Sequence, residues 1–332
     1  MLATVGAGVL AYILYRHHVQ SSRIIPISVN YHFTRKCNAA CSFCFHTELT
    51  SFISSTANSK LVLKMLANEG MKKLNFAGGE PFLYPRQLAE LCQYAKQELK
   101  LESVSIVSNG TRIRENWLRE NGANIDILAV SCDSFFAETN KKIGRAERST
   151  GKPFDNVEKL FRIRDWCREL GIKFKLNTVV CSLNWEEDMR DVVRRLDPFR
   201  WKVFQVLIVD GENEDASRIR DARKMCVTDE QFKFFCEKHK DMKGFTPEGN
   251  DVMRNSYLIL DEHLRFLDPG NGRRNNSDPI LEVGVQKALS QVNWDQEGFR
   301  ARGGLYDWSR GNEETHSFGG AMEGIDPKDL EY

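Results

Sequence analysis

Cys37, Cys41 and Cys44 stand in the run CNAACSFC, with an aromatic residue, Phe43, directly before the last of them. Three thiols this close can bind metal, yet a closed metal site ordinarily takes four ligands. Zinc is one reading, with His46 as the fourth ligand to Cys37, Cys41 and Cys44. Closed zinc sites usually come as two separated pairs, however, and no second pair follows. The other reading is a 4Fe–4S cluster, whose four irons normally take four thiolates. Three protein ligands leave one iron open to bind something reactive, so the missing ligand marks the place of chemistry. The chain has nine cysteines, an odd number, and the other six are scattered. That pattern fits a reducing compartment rather than a disulfide framework.

The elements that must position these thiols alternate in period. Strands are expected at 27–33, 72–77, 103–109, 125–132, 173–180 and 200–209. Helical spacing covers 56–70, 85–99, 112–121, 156–170 and 185–196. Such alternation implies right-handed crossovers and a parallel sheet, closed as a full barrel or stopping as a partial one. The cysteines follow the first strand. GGEP (78–81) follows the second, and its glycines let backbone approach a ligand, while Glu80 can pair with an ammonium group. SNG (108–110) and SCDS (131–134) end the third and fourth strands. Beyond residue 210 the pattern changes: a helix is expected at 228–239 with Thr228 as N-cap, a strand at 256–262, a turn-rich stretch at 268–279 and a helix at 281–289.

The 332 residues carry 47 basic and 46 acidic side chains, a net charge of +1, and 41% are hydrophobic. This is enough apolar material for a sizeable core, and it gives no basis for direct nucleic-acid binding. An anionic ligand must be held by a few local cations. Period-2 alternation puts Lys173, Lys175 and Asn177 on one face of their strand, and Lys73 with Asn75 on one face of another. Inward charge is costly unless an anion matches it, so several such lysines point to phosphate. Lys202 adds a further strand, and Arg302 an arm able to fold over the site.

The spacing CxxxCxxC after a first strand, with GGEP after the second, resembles the radical S-adenosylmethionine (SAM) superfamily. Longer runs, SVNYHFTRKCNAACSFCFHT, NFAGGEPF, SVSIVSNG, RWKVFQ, SYLILDE and RGGLYDWS, resemble the viperin family of interferon-inducible antiviral enzymes from about Ile27 to Ser309. The resemblance implies an α/β fold, a partial (βα)6 TIM-like barrel with a C-terminal extension. It implies a 4Fe–4S cluster on Cys37, Cys41 and Cys44, with SAM as second cofactor. Gly78, Gly79 and Glu80 would hold the SAM amino group, and Phe43, Ser131 and Arg145 would be further cofactor contacts. Lys73, Lys175, Lys202 and Arg302 would contact a nucleoside triphosphate, with Asn177 facing the site. Tyr257 resembles the tyrosine proposed to donate hydrogen or a proton near the sugar; its alternative is a core aromatic. The expected reaction is 3′,4′-dehydration of CTP, with UTP the nearest competitor, and it needs an external electron donor. Rivals are a radical SAM enzyme of another substrate class and a membrane-tethered zinc module.

Residues 1–15 carry no charge and are followed by Arg16 and Arg23. Fifteen helical residues reach roughly 22 Å, short of the ~30 Å hydrocarbon core. We expect residues 1–20 to anchor the protein to the cytoplasmic face of a membrane, by resemblance the endoplasmic reticulum or a lipid droplet. The alternative is a buried N-terminal helix. Residues 21–210 would form the barrel, 211–308 an extension closing the site, and 309–332 a flexible tail. The acidic and aromatic end of that tail, Leu330, Glu331 and Tyr332, suits capture by the cytosolic iron–sulfur assembly machinery.

Overall fold

The computed structural model describes residues 23–310, apart from 155 and 269–275. Six parallel strands, β1 (Ser28–Thr34), β2 (Lys73–Gly78), β3 (Ser103–Ser108), β4 (Ile127–Ser131), β5 (Lys173–Val180) and β6 (Arg200–Gln205), neighbour one another in chain order. Helices Thr56–Asn68, Pro85–Gln93, Glu115–Asn121, Asn156–Glu169 and Arg190–Leu196 connect them. Three short strands extend the sheet at both edges. β7 (Phe245–Glu248) lies parallel to β6, β8 (Ile259–Leu260) parallel to β1, and β9 (Phe266–Leu267) antiparallel to β8. The order β7–β6–β5–β4–β3–β2–β1–β8–β9 leaves two edges, so the barrel is partial and open.

The two faces of this sheet are built from opposite chemistry. Val29, Tyr31 and Phe33 of β1, Leu74 and Phe76 of β2, and Val104 and Ile106 of β3 belong to the hydrophobic core beneath the helices. Leu128, Val130, Phe174, Leu176, Trp201 and Val203 continue it through β6. The alternate residues turn inward and are largely polar on β1, β2, β5 and β6, whereas β4 contributes Ile127 and Ala129. Asn75 Nδ2 donates to Asn30 Oδ1 at 2.8 Å, and Ser105 Oγ donates to Asn75 Oδ1 at 2.9 Å, a ladder across three strands. Period-2 alternation thus separates an apolar core from a largely polar barrel interior.

Several elements differ from expectation. The sixth strand stops at Gln205 instead of 209, and 256–262 yields only the two residues of β8. β7 was not foreseen: FTPE is four residues long with a proline in it, below any useful period. Helix Ala137–Ile143, between β4 and the next predicted helix, was also missed. The helix expected at 185–196 starts at Arg190, because Asn184 accepts from the Cys181 N–H and holds the preceding residues in turns. The 281–289 helix is cut in two at Gly284, whose φ of +80° breaks it. Thr228 does cap its helix, and with Gln231 forms a full capping box. No helix among the described residues is long and apolar enough to cross a membrane. The expected anchor (1–20) and the terminal residues 330–332 lie outside the described residues.

Candidate active site

The carboxyl ends of β1, β2 and β4 gather the cysteine loop. Gly79 N donates to Thr34 O at 2.7 Å and Glu80 N to Lys36 O at 2.8 Å, clipping the exit of β2 onto the start of the loop. A Cβ at Gly79 would stand 2.1 Å from Lys36 O, and one at Gly78 (φ +112°) 2.4 Å from Thr34 O. The glycines of GGEP are therefore required by a close approach of the chain to itself. On the far side Ala40 N donates to Gly144 O and Ser42 N to Ile143 O, at 3.1 and 2.9 Å. Gly144 (φ +94°) ends its helix there, and a Cβ would meet Ala40 O at 2.3 Å.

Glu80 is fully buried. Its carboxylate accepts from Ser108 Oγ (2.8 Å), Asn109 N (2.7 Å) and Phe82 N (3.0 Å), which fastens GGEP to the end of β3. Burial raises its pKa, and these three donors oppose the rise. Arg145 is buried, and its Nε donates to Asp133 Oδ2 at 2.6 Å; Asp133 Oδ1 in turn accepts from Val179 N at 3.0 Å. Asp133 ties Arg145 to the ends of β4 and β5, a link the sequence did not reveal. Ser131, half-buried, ends β4 opposite Asn177. Phe43 is buried beside Cys41 and Ile143, and its carbonyl accepts from Asn213 Nδ2 at 3.0 Å.

The thiols fit an iron–sulfur cluster better than zinc. Among the described residues no three His, Cys, Asp or Glu side chains converge closely enough to hold one metal ion. His46 instead packs its ring edge-on to His32, centroids 4.5 Å apart. Cys41 packs in an apolar cluster with Phe43, Ile143 and Val206, and Cys37 and Cys44 lie against it. Amide donors face the sulfur of Cys37: Ala39 N at 3.4 Å and Asn109 Nδ2 at 3.8 Å. Burial pushes the Cys37 thiol up to about 12 and Cys41 to about 11. A bound metal group supplies the positive charge that such buried thiolates need. Just before the trio, buried Arg35 donates Nε to Glu262 Oε1 (2.7 Å) and Nη1 to Glu212 Oε1 (3.0 Å) and Thr47 O (3.0 Å). This triad, also missed, locks the cysteine loop to the turn after β8 and to the chain after β6. Removing one partner of such a group costs roughly 3–5 kcal/mol.

The cations gather deeper in the barrel. Lys73 Nζ donates to Tyr306 Oη at 2.9 Å and lies over the Trp308 ring, 5.1 Å from its centroid. Lys173 Nζ donates to Asp307 O at 3.1 Å, and Arg200 stacks on Tyr306 at 4.3 Å. Residues 303–310 thus floor the barrel, and Arg310 fastens them by donating to the carbonyls of Gly122 (3.0 Å), Gly171 (3.3 Å) and Leu170. Lys175 has no hydrogen-bond or ion-pair partner among the described residues. Burial first, then Lys202 and Lys73, hold its pKa well below the usual lysine range. Asn177 Oδ1 is buried without a partner.

Lys202, Tyr257 and Arg302 meet at a residue sequence reasoning did not name, Glu248, which ends β7. Lys202 ion-pairs with Glu248 and donates to Tyr257 Oη at 2.7 Å; the Tyr257 hydroxyl donates to Glu248. Arg302 Nη1 reaches Glu248 Oε1 at 3.2 Å, and its guanidinium lies 3.8 Å from the Tyr257 ring centroid. Arg302 is therefore fixed in place. Burial pulls Lys202 down to about 7 against the pull of Glu248. Lys202 and Arg302 outweigh burial at Glu248 and hold it down at about 2. Burial and Glu248 keep Tyr257 a neutral phenol, its pKa well above the usual range.

A three-cysteine loop and a GGEP turn at the carboxyl ends of an open parallel barrel define the radical SAM class of enzyme. The Radical SAM superfamily model matches residues 31–196. The S-adenosylmethionine-dependent nucleotide dehydratase RSAD2 of Oncorhynchus mykiss is 47% identical over 294 residues, 88% of this chain and 83% of that protein. Its namesake from Danio rerio is 49% identical over 287 residues, 86% and 79% of the two chains. Among solved structures, anSMEcpe with bound AdoMet superposes with a TM-score of 0.58 at 15% identity, covering 80% of each chain, a likeness of fold. The chain belongs to the SAM-dependent nucleotide dehydratases of the viperin family. It is a radical SAM enzyme that uses a 4Fe–4S cluster and SAM.

Proposed function

We propose that the nucleotide is CTP, converted to 3′-deoxy-3′,4′-didehydro-CTP, a chain terminator for viral polymerases that would serve antiviral defence. The observation that supports a triphosphate is the cationic interior, where buried Lys73 and Lys202 and half-buried Lys175 and Arg302 lie with the unpartnered Asn177 Oδ1 and with Tyr257; the choice of cytosine rests on the family resemblance. Cations inside a barrel need anions; among the described residues Glu248 alone serves Lys202 and Arg302, and a triphosphate would supply the charge that Lys175 and its neighbours still need.

Cysteines 37, 41 and 44 would hold the cluster, and Ser131, Arg145 and the GGEP backbone would line the SAM site beside it. Bound there, cluster and SAM would supply the radical chemistry that removes the C4′ hydrogen. The protein's own work is to place the sugar. Lysines at the floor hold the phosphates, which points the ribose toward the cysteine end. Departure of the 3′-hydroxyl as water consumes one proton and one electron from an external donor. We assign that proton to the Tyr257–Lys202 pair, in which the Lys202 ammonium donates to the Tyr257 hydroxyl and can replace a proton the phenol gives up.

We place the enzyme on the cytoplasmic face of the endoplasmic reticulum or a lipid droplet through residues 1–20, with its cluster delivered by the cytosolic iron–sulfur assembly machinery at Leu330–Tyr332. Deleting residues 1–20 should release the protein from membranes with activity intact; a truncated protein that fails to fold would make the segment a core helix. The substrate is tested by anaerobic incubation with SAM, dithionite and each of the four ribonucleoside triphosphates, read by mass spectrometry. Dehydrated CTP in excess over dehydrated UTP is expected. Dehydrated UTP in excess would move the assignment to that base, and no dehydrated nucleotide would sink it.

A further inference from the structure

We propose that Glu248 is a positioning residue, the built-in counter-anion of the substrate site, which holds Lys202, Arg302 and the Tyr257 hydroxyl in their working places. Glu248 is fully buried at the end of β7, among cations. One carboxylate oxygen takes Lys202 and Arg302; the other accepts the Tyr257 hydroxyl. Arg302 is further anchored by Nη2 to Ser256 O at 3.1 Å, while its Nε is buried without a partner. Lys175, two strands from β7, has no such anchor.

This arrangement is not what phosphate affinity alone would select. A carboxylate within a phosphate site repels the ligand and competes for its cations. What Glu248 provides is direction. As acceptor for the Tyr257 hydroxyl, it fixes a phenol that would otherwise turn freely about its C–O bond. As partner of Lys202, it keeps that ammonium between the phenol and the phosphate subsite. When a triphosphate arrives, Lys202 can turn the third of its ammonium protons to it, and Arg302, held where it is, still has its Nε–H without a partner. The device therefore gives up affinity and gains alignment, and the two should separate under mutation.

The inference rests on the triphosphate reading above, and the experiment keeps the two apart. CTP binding is measured by calorimetry on the reconstituted holoenzyme without reductant, and turnover is followed separately as 5′-deoxyadenosine and as dehydrated nucleotide. For Glu248→Gln we expect Kd for CTP to fall about threefold or more, through lost repulsion. Dehydrated nucleotide should fall about tenfold while 5′-deoxyadenosine continues to form. Tyr257→Phe should uncouple the two products with Kd unchanged. A merely structural role predicts the reverse for Glu248→Gln, weaker binding with loss of both products. Weaker or equal binding, or products still coupled, would overturn the proposal. Should that variant not fold, Glu248→Asp carries the test: charge kept but reach shortened, it should bind CTP as the native enzyme does and still uncouple. Weakened binding or intact coupling in Glu248→Asp would be equally fatal. Lys175→Ala separates the premises. If it leaves CTP binding unchanged, the triphosphate reading fails; if it weakens binding while Glu248→Gln does not tighten it, the Glu248 inference alone falls.

Discussion

The two ends of the barrel are held together in different ways. At the cysteine end backbone meets backbone, with the buried Arg35 and Arg145 ion pairs set around it: Gly79, Glu80, Ala40 and Ser42 each donate to a main-chain carbonyl, and glycines admit contacts no side chain could share. At the other end, side chains from β2, β5, β6, β7 and the segment 302–310 meet through ion pairs, phenols and aromatic faces. The first construction has no slack, as suits a loop that must present three thiols to one rigid group. The second is made of long side chains that can exchange partners, as suits a site that binds and releases a charged substrate. One end is built for permanence and the other for turnover.

The sharpest way to test that division is to break each end and look at the other. Cys41→Ala removes one of three protein ligands, so iron content and SAM cleavage should collapse. Calorimetric CTP binding should persist, because the cations do not depend on Cys41. Cys92→Ala, in the core between helix and sheet, should spare both. If Cys41→Ala abolished CTP binding as well, the two ends would not be separable.

Gly79→Ala comes next. A Cβ 2.1 Å from Lys36 O cannot be accommodated without moving β2 or the cysteine loop. We expect most of the iron to be lost from the isolated protein, with a lower melting temperature, and normal iron content would show that the close approach is dispensable.

At the other end effects should be graded. Lys175→Ala or Lys202→Ala removes a charge-assisted contact of roughly 1.5–3 kcal/mol, about ten- to a hundredfold in KM. Iron content should not change. Cytidine serving as well as CTP would deny the lysines their phosphate role. Arg310→Ala should do least. It loosens the floor by freeing the carbonyls of Gly122, Gly171 and Leu170, worth about 0.5–1.5 kcal/mol, roughly two- to tenfold in KM. An unchanged KM would mean that the floor holds without it.

The same contrast explains what could be read from the residues alone. The cysteine end was legible because its parts are short, contiguous and rigidly spaced: CNAACSFC and GGEP each carry their geometry within a few residues. Even there the sequence did not show that the Glu80 carboxylate also accepts from Ser108, Asn109 and Phe82, a use that depends on how the β2 exit packs against β3. The inward lysines were legible as a face of a strand, since period 2 is a local property. Their partners were not. Glu248 sits on a four-residue strand containing proline, and Tyr306 reaches Lys73 across more than two hundred residues of chain. Asp133 and the Arg35–Glu212–Glu262 triad were hidden likewise, because nothing local marks a buried ion pair whose members lie on different elements.

The central claim is that the cysteine end and the cationic end act on one molecule, the first reaching the ribose that the second holds. Incubating the reduced enzyme with SAM and CTP deuterated at C4′ tests this most directly. The account predicts deuterium in 5′-deoxyadenosine, formed in step with dehydrated CTP. Deuterium-free 5′-deoxyadenosine, with the label still on the nucleotide, would contradict it.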